Sequence, residues 1–271
     1  KNNYARKNIA YLLSIRNKAE IIIETDDDNY PLKKFFNDKE LIKKFLLVKN
    51  NGWINIYDIL KNDKSLIWPR GLPLNEITNK KKFKFISKKE KCYIQQGLCN
   101  SNPDVDAIYR LINNNINIKF KDNLNIGISK KSISVFNSQN TTWFKEAFPL
   151  LYLPSYCSMR ATDIWRSLIA QRILFNDNKS ILFHSSNVYQ KRNPHILMKD
   201  FKDEIPVYLD TNNIYEILNS VNLTTGSKNY LPNLLKCYQT LCKKSFFPNK
   251  EMILVNAWKK DLDRIFKATK V

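Results

Sequence analysis

Apolar and polar positions change spacing several times along the chain. Over residues 4–18 the apolar side chains recur at Ile9, Leu12, Leu13 and Ile15, with Arg and Lys between them, a spacing that predicts a helix. Glu20-Ile21-Ile22-Ile23-Glu24 is a short β-branched run suited to a buried strand, and it leads directly into Thr25-Asp26-Asp27-Asp28-Asn29. Helix, buried strand and acidic turn is the order in which an α/β sheet presents ligands at the carboxyl ends of its strands. Farther on, residues 53–57 read as a strand, and Trp68-Pro69-Arg70-Gly71-Leu72-Pro73 must be a loop because of its prolines and glycine. A polar turn over 100–106 opens a helix over 107–112, 126–136 supplies one or two short strands, and 140–148 reads as a loop entering a short helix. The strongest helical pattern covers 160–175, where Ile164, Trp165, Leu168, Ile169, Arg172 and Ile173 form one broad stripe. Residues 180–183 form a short strand ending at His184, and the chain from about Pro206 onward is mostly helical.

No internal repeat and no Pro/Gly-rich linker interrupts this order. The pattern predicts one α/β domain over 1–205 and a helical C-terminal appendage over 206–271. With 271 residues and 43% hydrophobic composition the chain can bury a substantial core, which excludes a disordered or fibrous class. No run of 18 apolar residues occurs, so no membrane span is expected within it, and a leader or anchor would have to lie upstream of Lys1.

The formal charge of +20 changes the picture less than its size suggests. Its densest run is Lys80-Lys81-Lys82-Phe83-Lys84 followed by Lys88-Lys89-Glu90-Lys91. That run is either a patch for nucleic acid or an anionic membrane, or a solvated lysine-rich segment. The five cysteines form no CxxC pair or zinc spacing, and with two histidines a His-rich metal site is excluded. A metal would therefore depend on carboxylates, the donors of hard ions such as Mg²⁺ or Mn²⁺.

Three adjacent aspartates at the end of an apolar strand repel one another, and a divalent cation would neutralise them. Asp26 and Asp28, two residues apart, project to the same side of an extended turn. An ion held by one or two carboxylates keeps positions open for water and phosphate, and it stabilises charge developing on a diphosphate leaving group. A solvated acidic turn before Tyr30-Pro31 is the alternative.

Tyr4-Ala5-Arg6-Lys7-Asn8-Ile9-Ala10-Tyr11-Leu12 running into Glu24-Thr25-Asp26-Asp27-Asp28-Asn29 resembles the STELLO family of glycosyltransferases. The likeness continues through Trp68-Pro69-Arg70-Gly71, Gln95-Gln96-Gly97-Leu98, residues 102–110 and Asn140-Thr141-Thr142-Trp143-Phe144. It is densest over 148–171 and ends with Phe183-His184-Ser185, Tyr189-Gln190-Lys191-Arg192-Asn193 and Asp203-Glu204-Ile205-Pro206. These motifs cover most of 4–206 in collinear order.

The resemblance implies a GT-A-like, Rossmann-related mixed sheet flanked by helices. It also implies transfer of a sugar from a nucleotide-sugar donor, UDP-linked, to a glycan or other hydroxyl acceptor. The family also implies a strand–helix–strand unit ahead of the acidic motif; this sequence begins at the helix just before that motif, so the unit lies upstream of Lys1 or is missing or remodelled. The family further implies the Golgi lumen with an upstream anchor; without one, the cytoplasm is the alternative.

The implied roles fall on particular residues. Asp28 and Asp26 would hold the Mn²⁺ or Mg²⁺, with His184 completing the site, and Asp163 would be the general base of an inverting reaction. Arg6, Asn8, Asp27 and Arg70 are candidates for the donor, and Trp143, Tyr156 and Arg160 for the acceptor. For Asp163 the competing role is compensation of charge at a helix N-terminus; for His184 it is a structural place at a strand end.

Overall fold

The structure, a computed structural model, describes residues 3–36, 39–113 and 115–268. In chain order the elements are α1 (Lys7–Arg16), β1 (Ile21–Thr25), β2 (Asn29–Pro31), β3 (Ile42–Val48), β4 (Gly52–Trp53), α2 (Ile56–Leu60), β5 (Phe85–Lys91), β6 (Ile94–Asn100), α3 (Ala107–Ile112), β7 (Asn125–Ile128), β8 (Ser132–Ile133), β9 (Asn140–Phe144), α4 (Thr162–Asn176), β10 (Ile181–Gln190), α5 (Leu197–Ser220), α6 (Tyr230–Lys243) and α7 (Glu251–Ala268).

An eight-stranded mixed sheet forms the centre, in the order β1-β9-β6-β10-β7-β3-β5, with β2 paired to the far half of β10. β10 runs parallel to β6, and both β1 and β6 run antiparallel to β9. The carboxyl ends of β1, β6 and β10 therefore point to one edge of the sheet, where ligands of open α/β sheets gather. The acidic turn, Asp104 and the 191–196 segment follow these three strands, so the fold brings them to that edge.

Helix α4 lies against the sheet and is buried at nearly every position, including Asp163, Arg166, Ser167 and Gln171. It is thus a central helix rather than a one-striped surface helix, which is why its polar residues need partners inside the protein. Arg166 finds Glu24, an inward-facing residue of β1, at 2.8 Å; both side chains are 1% exposed. Tyr11 and Trp143 also donate to that carboxylate. We expect Arg166→Met to destabilise the fold by about 3–5 kcal/mol, because Glu24 would stay buried without its counter-charge. Urea unfolding of Arg166→Met against the double variant Arg166→Met/Glu24→Leu checks this. A single variant no less stable than the double one would contradict it.

Several sequence expectations are corrected. Residues 53–57 divide between the short strand β4 and helix α2, whose N-cap Asn55 accepts from the Asp58 amide. Asn140–Phe144 is a fully buried strand, not a loop, and β10 continues seven residues past the expected end at 183. The expected boundary at 205/206 falls inside α5, which carries Pro206 without interruption. One core cluster joins Ile164 and Leu168 to Leu234, Val255 and Leu262, so the C-terminal helices share the core of the α/β layer. The lysines at 88, 89 and 91 lie on edge strand β5, where charged side chains discourage pairing with another sheet. Among the described residues no helix is long and apolar enough to cross a membrane.

Candidate active site

A cavity of about 500 Å³ opens at the sheet edge where β1, β6 and β10 end. One wall is the acidic turn. The Asp26 amide donates to the Gln139 carbonyl, and the Asn29 amide returns to the Asp26 carbonyl, so the turn is held by main-chain bonds between β1 and β2. Asp28 accepts from Gln190 Nε2 at 2.8 Å and from the Asn193 amide at 3.1 Å. Asp27 is exposed at the mouth. Asp26 meets Lys7 at 3.9 Å, and among the described residues its carboxylate accepts no hydrogen bond. Burial pushes the Asp26 carboxyl up to about 7; Lys7 opposes the shift, and Asp104, Asp163 and Asp28 add to it. A third of its side chain is exposed (32%), with the Asp28 carboxylate beside it in the same cavity wall.

Carboxylate oxygens with open lone pairs in one cavity wall suit a hard divalent cation. Among the described residues no three or more His, Cys, Asp or Glu side chains are grouped to hold a metal ion. An ion at the turn would therefore rely on one or two carboxylates and on water or substrate oxygens, the usual habit of Mg²⁺.

The other wall is cationic. Arg160 and Arg192 line it, and Arg110 stands behind them. Arg160 is anchored through Nε to Glu204 at 2.7 Å, while its Nη2, 2.6 Å from the same carboxylate, is buried without a hydrogen bond. Arg192 donates to Asp200 at 2.9 Å. Burial and then the charge of Arg192 push the Arg110 guanidinium down to about 10; burial and then Arg160 lower that of Arg192. Arg192 thus weighs on Arg110 and Arg160 on Arg192, and an anion bound among them would offset both effects.

Between the walls sits a closed clamp. Arg70 follows Pro69 and precedes Gly71, whose φ of +90° lets the loop turn; a Cβ there would come within 2.6 Å of Ile164. Its Nε and Nη2 donate to Asp104 at 3.0 and 2.7 Å, and Nη1 and Nη2 donate to Asp163 at 3.0 Å each. Nη1 also reaches the Arg160 carbonyl. All five donors of the guanidinium are engaged. Asp163 further accepts from the Ser138 amide and hydroxyl and from the Ile164 amide, each at 3.1 Å. Burial works to raise the Asp163 carboxyl, but Arg70 and its hydrogen bonds override this and hold it well below the usual carboxylate range.

Comparison with known proteins follows the same direction. Residues 160–270 match the family model of the STELLO glycosyltransferases. The chain is similar to the STELLO glycosyltransferases. Two curated relatives from Arabidopsis thaliana, named "Probable glycosyltransferase STELLO2" and "Probable glycosyltransferase STELLO1", are 24% and 23% identical to it, each over 96% of the chain and 36% of their own length. The chain thus spans little more than a third of the curated relatives it matches.

Within this STELLO-like chain the predicted site residues separate. Asp26, Asp27, Asp28, Arg70, Arg160 and Asp163 come together around the cavity. His184 does not: it sits mid-strand in β10, buried, with Nδ1 2.8 Å from the Ser185 carbonyl and its ring edge against Gly97. Asn8 is used on both sides of its amide by the main chain of Leu153, and Arg6 is exposed away from the cavity lining. Trp143 is wholly buried in β9 beneath Arg166, 4.9 Å from its guanidinium, so it is core rather than a sugar wall. Tyr156 lies outside the cavity lining, under the ammonium of Lys250. Arg70, with its five donors occupied, holds the site's shape rather than a donor. Asp163 has both oxygens filled, the opposite of what a base needs.

Sequence reading passed over Arg192, His195, Asp200 and Glu204. Arg192 and Glu204 fell within motifs shared with the family, but their pairing across 44 residues with Arg160 and within the 192–200 segment is a product of the fold.

Proposed function

We propose that the chain is the catalytic part of a metal-dependent glycosyltransferase that moves a sugar from a nucleoside diphosphate-sugar, UDP-linked, to a hydroxyl acceptor with inversion. One observation supports this most: a carboxylate turn and a guanidinium pair share one cavity at the carboxyl ends of three parallel strands. A metal-bridged diphosphate uses both kinds of wall, carboxylates for the ion and guanidiniums for the phosphate oxygens.

In this reading Asp26 and Asp28 hold a Mn²⁺ or Mg²⁺ ion, which when bound supplies positive charge to the diphosphate leaving group. Arg160 and Arg192 engage phosphate oxygens, a task for which the planar guanidinium offers two parallel donors. Glu204 fixes the rotamer of Arg160, and it also caps α3 through the Ala107 amide at 2.7 Å. The Arg70 clamp keeps Asp104 and Asp163 from competing with substrate phosphates for the cavity, because their charge is already matched.

Calorimetric titration of UDP in the presence of Mn²⁺ tests the reading, followed by hydrolysis and transfer assays with UDP-sugars. Absence of any Mn²⁺-dependent UDP binding, or a product that retains the anomeric configuration, would count against it. Arg160→Lys keeps the charge opposite Glu204 but loses the planar fork. We expect it to weaken UDP binding about tenfold, since a hydrogen bond to a charged group contributes roughly 1.5–3 kcal/mol. An unchanged Kd would remove Arg160 from the phosphate site.

A further inference from the structure

The proposed transfer leaves one proton without a destination. The acceptor hydroxyl must lose it as the new bond forms, and Asp163 is occupied. A different group in the same cavity has the arrangement of a base. His195 lines the wall beside Arg192, and its Nδ1 lies 3.0 and 3.3 Å from the two carboxylate oxygens of Asp200. Asp200, in the first turn of α5 and 12% exposed, is itself fixed by Arg192 at 2.9 Å. A carboxylate holding one imidazole nitrogen as a donor leaves the other with its lone pair available. Among the described residues Nε2 of His195 makes no hydrogen bond.

We propose that His195 is the general base of the sugar transfer and that Asp200 is its positioning residue; this rests on the transferase reading above. As the acceptor oxygen attacks the anomeric carbon, its proton passes to Nε2. The bond from that carbon to the diphosphate oxygen breaks, and its electron pair leaves with the nucleoside diphosphate. The imidazolium that results is stabilised by Asp200.

The charges around the ring suit this role. Arg192 and Asp200 face it directly, Arg160 stands beyond Arg192, and Lys199, Asp203 and Asp28 line the same cavity. Burial, followed by Arg192, lowers the His195 pKa from its usual 6.5 against the pull of Asp200, the direction that favours an unprotonated ring. A base must be unprotonated, so turnover is expected to rise with pH through a value below 6.5 and then level off. A base with the depressed pKa of Asp163 would show no such limb there.

The chain's two histidines make the test direct. Imidazole ¹⁵N resonances of the full chain, assigned by His195→Asn, are expected to show His195 neutral at pH 7, protonated on Nδ1 and titrating below 6.5. Asp200→Asn should lower that pKa further and reduce turnover. With Mn²⁺ and a panel of UDP-sugars, His195→Asn is expected to reduce hydrolysis and transfer about 10²–10⁴-fold, while UDP affinity stays within about twofold of the parent because the base does not hold phosphate. An imidazolium at pH 7, a proton on Nε2, undiminished turnover, or loss of Mn²⁺-dependent UDP binding in His195→Asn would each overturn the assignment. Failure of the parent chain to bind UDP at all would sink the transferase reading and the base role with it; a wrong tautomer sinks the base alone.

Discussion

Asp28→Ala is expected to abolish Mn²⁺-dependent UDP binding, by more than about 100-fold, which exceeds the 10–100-fold typical of losing a group that merely orients a metal ligand. Asp28 follows a strand end that cannot shift, because β1 is registered on β9 from Ile21↔Phe144 to Thr25↔Asn140. Its two oxygens accept from Gln190 and from the Asn193 amide, so the carboxylate is aimed before any ion arrives. Those same bonds tie the acidic turn to the 191–196 segment, so the alanine variant removes an anchor as well as a charge. Asp28→Asn separates the two: the amide oxygen still accepts from one partner, but the charge is gone. If charge is what matters, Asp28→Asn should lose Mn²⁺ dependence as fully as Asp28→Ala, read by calorimetry of UDP with and without the ion. Wild-type Mn²⁺ affinity in Asp28→Asn would show that the turn only braces the segment.

How far this site was visible beforehand depends on the kind of signal. The acidic turn was legible because three β-branched isoleucines announce a strand and the aspartates stop it within two residues, although β1 proves to be a half-buried edge strand. Helix α4 was legible because no Gly or Pro interrupts its 15 residues. The sheet's polar strands were not. Asn140-Thr141-Thr142 and Ser185-Ser186-Asn187 look like loop, yet Asn140 donates to the Gly97 carbonyl at 3.1 Å and to Asn187 at 2.6 Å inside the sheet. Polar side chains that satisfy one another in the interior erase the alternation on which strand reading depends. This single effect ended β10 too early and put His184 at a strand end, whereas the histidine that reaches the cavity is His195, beyond the true end at Gln190. The pairing of Arg70 was hidden for another reason. Its partners are 34 and 93 residues away, a distance at which no local pattern reports pairing.

Arg70→Met is expected to destabilise the protein by about 3–5 kcal/mol, as removal of one member of a buried ionic group does. The side chains of Arg70, Asp104 and Asp163 are 5%, 8% and 5% exposed, so two carboxylates would remain in the interior with their main donor gone. The sign with pH follows from Asp163. Its folded pKa lies below the unfolded value of about 3.9, so its contribution is complete above that value and is lost as pH falls through the folded one. In Arg70→Met the main opposition to burial is gone, with Arg166 and the Ser138 amide still opposing it, so the carboxyl pKa rises and protonation relieves the buried charge. The stability gap between parent and variant should therefore be largest near pH 7 and narrow as the pH approaches 4, measured as urea midpoints at constant slope. Such a pH-dependent gap, together with retained UDP binding in whatever fraction stays folded, marks Arg70 as the clamp. A variant that unfolds like the parent at every pH but no longer binds UDP would instead return Arg70 to the donor, and would mean that its five engaged bonds open when the nucleotide enters.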